Sequence, residues 1–286
     1  MNNIKRIQYF FVNTQTANIA NPSNLNMRKA KRLMFQILCF ALWIVFFLFS
    51  ISFLNLSFDR FVNSFVSIGN LFINRYSNPD IGFIMKKGYI SSIIDTVQMA
   101  YLSTFIGVIL SVPIAWIASY NITPNRFAYK LSRALIIICR SVHEIIWCIL
   151  FIMILGYGML PGIIALTLFC IGFTGKLFSD EIESLNSGPI TAINSLGGNS
   201  LQVFIFAVLP QVKVSWAGIV IYTWDSVFRA ATIIGYVGAG GIGLYMKQSI
   251  EELHYSKVSA ILLSIIFIVT LSEAISSFFR KLLKIN

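Results

Sequence analysis

SGPITAINSLGGNSLQVFIFAVLPQV, Ser187 to Val212, is a short and fairly polar stretch in a chain that is otherwise mostly apolar. It opens with Gly188-Pro189, continues as a helical run, stops at Gly197-Gly198 and turns apolar again before Leu209-Pro210. Proline early in a helix and glycine just past its end are the usual marks of the two helix termini. Ile190, Ile193 and Leu196 recur at three-residue spacing, so one face of this helix is apolar. The stretch therefore reads as an amphipathic helix in a loop between two long apolar segments. Such a helix can lie on a membrane surface or dock on a partner protein.

Composition places the rest of the chain in a bilayer. Mean hydropathy is +0.77 and charged residues make up 12%, against about 25% in soluble domains. Six apolar segments come near the roughly 20 residues that a spanning helix needs: about 33–54, 93–120, 134–155, 159–178, 204–228 and 258–279. Phe61 to Ile73 is apolar but short and carries Asn63 and Asn70, which suits an interfacial or re-entrant piece. Pro113 lies inside the second span, where a kink is expected. Cys39, Cys139, Cys148 and Cys170 sit in apolar runs and read as small buried residues without disulfides. Two histidines and no HExxH leave little material for a metal site. The first 32 residues are polar and basic, and the apolar run after them is too long for a signal-peptide core, so it reads as a retained first span.

Charge sets the expected orientation. Lys5, Arg6, Arg28, Lys29, Lys31 and Arg32 precede the first span. Arg126, Lys130 and Arg133 lie in the loop before the third, and Arg280, Lys281 and Lys284 follow the last. Six spans put all three groups on one side, which the positive-inside rule makes the cytoplasm. The 179–203 segment falls on that side too, although Asp180, Glu181 and Glu183 make it acidic. The net charge of +11 thus follows from topology and contact with anionic lipid. The basic residues flank spans and form no stripe, which argues against nucleic acid.

Two motifs are deceptive. Gly238-Ala239-Gly240-Gly241-Ile242-Gly243 satisfies G-x-G-x-x-G, but an apolar span precedes it and no acid lies in 258–272, so the dinucleotide context is missing. Gly175-Lys176-Leu177 lacks the earlier glycine and the Ser or Thr of a P-loop. An ATPase acting with this chain must be a separate subunit.

The opening stretch resembles the cytoplasmic coupling loop of the membrane subunits of binding-protein-dependent ABC importers. That pattern is Glu-Ala-Ala, three residues, Gly, nine residues, an apolar residue, one more, then Leu-Pro. Here Thr191-Ala192-Ile193, Gly197, Ala207 and Leu209-Pro210 occupy those positions, with Thr191 in place of the glutamate. The run from Arg229 to Gly243, RAATIIGYVGAGGIG, is similar to the segment after the penultimate span of phosphonate and phosphite importer permeases. Arg140–Trp147, Lys176–Glu181 and Val258–Leu263 resemble other parts of the same group, and the likeness covers roughly residues 85–283. It implies an all-α polytopic permease of the type I ABC importer fold, with a basic cytoplasmic tail over 1–32, a transmembrane domain over 33–283 and a coupling loop over about 179–203. Its implied partners are an ATPase homodimer docked near residues 188–199, a periplasmic phosphonate-binding protein and a second copy of the chain. It implies no cofactor, and an inner-membrane location with both termini cytoplasmic.

Charged side chains inside spans are costly and therefore informative. The chain has two groups of them: Arg140, His143 and Glu144 in the third span, and Asp225 with Arg229 at the end of the fifth. Helical spacing puts Arg140, His143 and Glu144 on one face. Two roles remain open for them. They either line a path for an anion or pair with each other, Arg140 with Glu144, to hold the bundle together. The glycines Gly238, Gly240, Gly241 and Gly243 either form a tight turn or offer backbone N–H groups to an anion at the outer mouth. Other functions remain as alternatives. The cargo is phosphonate, or else phosphite, phosphate or another oxyanion. An intramembrane enzyme would use His143 and Glu144 as base and acid. A secondary transporter would predict inverted repeats, and none is visible.

Overall fold

The computed structural model describes residues 22–54, 58–123 and 125–283. Among the described residues there is no β-strand. The helices are α1 (Pro22–Phe53), α2 (Phe58–Leu71), α3 (Ile81–Ile84), α4 (Lys87–Ile117), α5 (Arg126–Ser141), α6 (Glu144–Leu155), α7 (Met159–Glu183), α8 (Ser187–Ser195), α9 (Ser200–Val203), α10 (Leu209–Ile234), α11 (Gly241–Glu251) and α12 (Tyr255–Leu282). Three π-helical turns, Phe72–Tyr76, Phe204–Val208 and Gly235–Ala239, adjoin them.

The residues up to Asn70 form one compact unit and those from Leu71 a second. In the first, α1 joins the end of the expected tail to the first span in one helix, whose part over Lys31–Phe53 is long and apolar enough to cross a membrane. The tail residues 1–21 lie outside the described residues. Helix α2 has 14 residues, too few to span alone.

In the second unit α4, α7 and α12 are each long and apolar enough to cross, as is the run over Ser200–Ala239 that contains α10. Helices α4 and α7 meet along a face of small residues. On α4 it runs through Ala100, Ser103, Gly107 and Ser111, and on α7 through Gly162, Leu166, Cys170 and Thr174. Lipid tails are as apolar as leucine, so helices associate in a bilayer by close packing and shared hydrogen bonds rather than by expelling water. The hydroxyls at the seam return their protons to their own helices, Ser103 to Met99 O at 2.6 Å and Thr174 to Cys170 O at 2.6 Å. Ser103 also reaches across to Ile163 O at 3.3 Å. Helix α4 runs on through Pro113 without a break.

The third span departs from expectation. Arg126–Ser141 and Glu144–Leu155 are two helices bent 90° apart, in place of a straight 134–155. Val142 and His143 are extended, with φ −108° and −64°. His143 is the N-cap of α6, its Nδ1 accepting from Ile145 N–H at 3.4 Å, and Glu144 lies in the first turn, where a carboxylate favours the positive end of the helix dipole. This cap stops the preceding helix. Arg140, His143 and Glu144 consequently do not share one helical face, and the expectation that they do is corrected.

Gly107 gives the tightest test of the α4–α7 seam. A Cβ there would lie 2.5 Å from Cys170 Cβ and 2.7 Å from its Sγ. Gly107→Val should destabilise the protein by about 1–3 kcal/mol through overpacking, and adding Cys170→Gly should recover part of that loss. Thermal melting of the purified protein in detergent checks both, with Gly69→Ala, where nothing lies within 4 Å, as the neutral control.

Candidate functional site

The amphipathic helix of the opening stretch is α8, and its ends are capped on both sides. Asn186 Oδ1 accepts from Gly188 N–H at 3.0 Å, and Pro189 occupies the first turn. At the other end Gly197 has φ +79°. Its N–H donates to Asn194 O and that of Gly198 to Ile193 O, both at 3.0 Å. This is the Schellman arrangement, in which a glycine supplies the left-handed residue. The two glycines have different reasons. Nothing lies within 4 Å of a Cβ on Gly197, so its constraint is the dihedral alone, whereas a Cβ on Gly198 would meet Ile193 Cγ2 at 2.5 Å. Asn199 and Gln202 then form a capping box that starts α9.

One face of α8 is anchored. Ile190 is buried with Phe178 and Ile182 of α7 and Val208, Val212 and Trp216 further on. Phe178 stacks on Trp216 at 4.2 Å between centroids. Thr191, Ala192 and Leu196 are exposed, Leu196 at 87%. Thr191 Oγ1 donates to Ser187 O at 2.9 Å, so it serves its own helix. Ala207 is buried in the π-turn, while Leu209 is partly exposed and its N–H reaches back five residues to Phe204 O. Pro210 has no N–H to give to the usual carbonyl four back, and α10 starts there after the wider turn.

Beside α8 is an ionic cluster that the sequence did not reveal. The Arg133 guanidinium of α5 binds the Glu183 carboxylate at the end of α7 and lies 3.7 Å from Asp180. Its Nε donates to Ala118 O, the C-cap of α4, at 2.7 Å. Tyr120 N–H donates to Glu183 at 3.1 Å, and Asn121 Nδ2 to Ile182 O at 2.9 Å. Lys176 pairs with Asp180 at 2.5 Å. Asp180 and Glu183, two of the acids of the 179–203 segment, are thus counter-ions to Arg133 and Lys176. The only hint in the sequence was an acidic segment where positive charge predominates.

The intramembrane charges sort differently from expectation. Arg140 is exposed and its stem packs on Gly172 of α7, where a Cβ would lie 2.9 Å from Arg140 Cγ. Among the described residues it forms no ion pair. Glu144 Oε2 instead lies 3.4 Å from His143 Nδ1, so pairing of Arg140 with Glu144 is corrected by the break between their helices. Asp225 and Arg229 pair with each other one turn apart on α10, at 2.5 Å. Asp225 is 7% exposed and its Oδ1 has no partner among the described residues, while the Arg229 side chain is 45% exposed. Tyr222, one turn before, packs on Phe173 of α7 at 5.8 Å.

The glycine segment is a packed turn. Gly238, Gly240 and Gly241 have φ of +125°, +90° and +69°. Gly241 and Gly243 are buried, and a Cβ on Gly235 would lie 2.5 Å from Gly240 O. The Ile242 N–H at the start of α11 is taken by Thr96 Oγ1 of α4 at 2.9 Å, so it is not offered to an anion. The segment also touches the α6–α7 turn, where Gly158 N–H donates to Gly238 O at 3.3 Å.

Among the described residues no group of three or more His, Cys, Asp or Glu could hold a metal ion.

Comparison with known proteins agrees with this geometry. Residues 107–284 match the family described as binding-protein-dependent transport system inner membrane component. The chain is 40% identical over 203 residues to the phosphite transport system permease protein PtxC of Stutzerimonas stutzeri, covering 71% of this chain and 73% of that one. It is 36% identical over 190 residues to the phosphate-import permease protein PhnE of Mycolicibacterium smegmatis, covering 66% of this chain but only 36% of that longer protein. In fold it is similar to a chain of the inward-facing MetNI methionine ABC transporter, with TM-score 0.60 and 20% identity, over 70% of this chain and 99% of that one. The match over residues 107–284 and the likeness to these permeases make this chain a member of the family of binding-protein-dependent transport inner membrane components, a multi-pass permease of the type I ABC importer fold and not an enzyme.

Proposed function

We propose that this permease imports a small phosphorus oxyanion, phosphonate or its relative phosphite, and that α8 is where a separate ATPase drives it. The capped geometry of α8 is the observation that carries the coupling role. One face is fastened to the bundle through Ile190 and the opposite face, Thr191, Ala192 and Leu196, is open to a partner. The cargo follows from the 40% identity to a phosphite permease and from 34% identity over 118 residues to a cryptic phosphonate transport permease of Escherichia coli. A binding protein delivers the ligand and two conformational states alternate as the ATPase closes and opens.

Two copies form the pathway in this reading. Lys176, Tyr222 and Arg229 are partly or well exposed on α7 and α10, helices that otherwise cross hydrocarbon. A guanidinium facing lipid is costly, so these side chains face water or protein. A second copy across a two-fold axis would enclose them. Arg140, His143, Glu144, Asp225 and Arg229 are the residues from which the path's charged lining is drawn. Arg229 is a candidate for meeting the oxyanion, because its guanidinium is exposed while Asp225 orients it.

The basic ends, the 121–133 loop and α8 face the cytoplasm. The bonds joining Tyr120, Asn121 and Arg133 to Ile182 and Glu183 support placing these loops at one end of the bundle. The bonds from Arg75 to Tyr255 and from Asp80 N–H to Ser256 O support placing the 75–80 and 252–256 turns together at the other.

Three outcomes are expected. In a Cys39→Ser background, cysteines at 127 and 192 should be labelled by an impermeant maleimide only from the cytoplasmic side, and cysteines at 78 and 252 only from outside; external labelling at 192 would remove both the orientation and the ATPase site. Gly197→Val should insert normally but lose ATP-dependent uptake, because a β-branched residue at φ +79° costs about 1–3 kcal/mol and turns the end of α8. Wild-type uptake in proteoliposomes holding the ATPase would contradict that. Arg229→Ala should cut phosphite or phosphonate uptake far more than Lys247→Ala, by about tenfold or more if the guanidinium meets the anion.

A further inference from the structure

We infer that Arg133 is a positioning residue for energy coupling, a clamp that makes the cytoplasmic ends of α4, α5 and α7 move as one body with α8. The inference rests on the reading of α8 as the ATPase docking helix. Helix α8 hangs from Glu183, the last residue of α7, by only three residues, Ser184 to Asn186. A push on α8 reaches the bundle through the Ile190 contact and, along the chain, at Glu183. Chain connectivity alone would pass it up α7. Arg133 adds two branches, because the same guanidinium that binds Glu183 also donates from Nε to Ala118 O at the end of α4 and sits on α5.

Three features separate this cluster from an ordinary surface pair. The Arg133 and Glu183 side chains are only 18% and 19% exposed, so water competes weakly and the bond holds its geometry better than exposed pairs do. The planar fork of arginine fixes two directions at once, which a lysine cannot. The same Glu183 oxygen, Oε1, that meets Arg133 also accepts the Tyr120 N–H, so the clamp also ties down the turn after α4. Helix α5 leads directly into the 90° break before α6. A rigid joint at Arg133 would thus swing α5 about that break whenever α8 moves, converting a local push into a change of the bent span.

The test uses the whole transporter, the chain assembled with its ATPase in nanodiscs. Nitroxide labels go on Phe127→Cys of α5 and Asn194→Cys of α8 in the Cys39→Ser background, with labelled chain diluted in unlabelled chain. Both native side chains are exposed. With Arg133 present, the 127–194 distance distribution should be narrow and the same without nucleotide and with ATP-vanadate. In Arg133→Ala it should broaden and differ between the two states, while ATPase binding is kept and the uptake of phosphite per ATP hydrolysed falls by about tenfold. Arg133→Lys, which keeps the charge but lacks the fork to Ala118 O, should narrow the distribution again only in part.

An unchanged distribution in Arg133→Ala, or one that already depends on nucleotide with Arg133 in place, would overturn the clamp. So would loss of hydrolysis, uptake and assembled protein in equal proportion, which marks a structural bond only. Gly197→Val in the same assembly separates the two levels: full uptake there removes the role of α8, whereas lost uptake with a rigid Arg133→Ala removes only the clamp.

Discussion

No water in the hydrocarbon core is free to bond a stray N–H, and no hydrophobic gain follows from pressing one apolar helix against another. The close approach of α4 and α7 answers both constraints. Gly107 admits Cys170 to the α4 backbone, and Ser103 and Thr104 fold their hydroxyls onto their own helix. Helix α10 packs on this pair through Val227, Phe228, Ala231 and Ile234, and α6 through Cys148. Spans five and three are therefore located by the fit of two and four, and the polar face of α10 is turned outward as a result.

The two ends of the bundle solve the problem of exposed backbone in different ways. One end uses charge: Arg133, Glu183, Asp180 and Lys176 close the turns beside α8, where water is at hand. The other uses shape. Gly235, Gly241 and Gly243 let the chain fold back so tightly that Thr96 of α4 caps α11 directly. Both devices hold helix ends together, the ionic cluster through oriented side-chain bonds and the glycine turn through close backbone contact.

Thr191 stands where relatives of the coupling-loop pattern carry glutamate. Its hydroxyl bonds Ser187 O within α8 and leaves no charge on the exposed face. The contact surface of α8 is consequently neutral: Thr191, Ala192, Ser195 and the protruding Leu196. An ATPase groove that fits it would rely on apolar contact and shape more than on a salt bridge.

Much of this was legible in the residues because it depends on neighbours in the chain. Run lengths and hydropathy place the spans, and Gly188-Pro189 and Gly197 bound α8 to within a residue or two, since caps act over three or four positions. The orientation expected from basic residues draws on the same local information. Other features needed partners far apart in sequence. Arg133 and Glu183 are 50 positions apart, and each alone looked like a charge flanking a span. The glycines of 238–243 looked open to an anion until Thr96 of α4, 146 positions before Ile242, was found on that N–H. The 90° break lies between. Ser141-Val142-His143 could cap a helix or continue one, and apolar periodicity runs across it unbroken. Local preference there is nearly balanced, so packing against α7 tips it, with Gly172 receiving Arg140. Hydropathy measures how much of a segment prefers lipid; only contact with other helices decides where that segment bends.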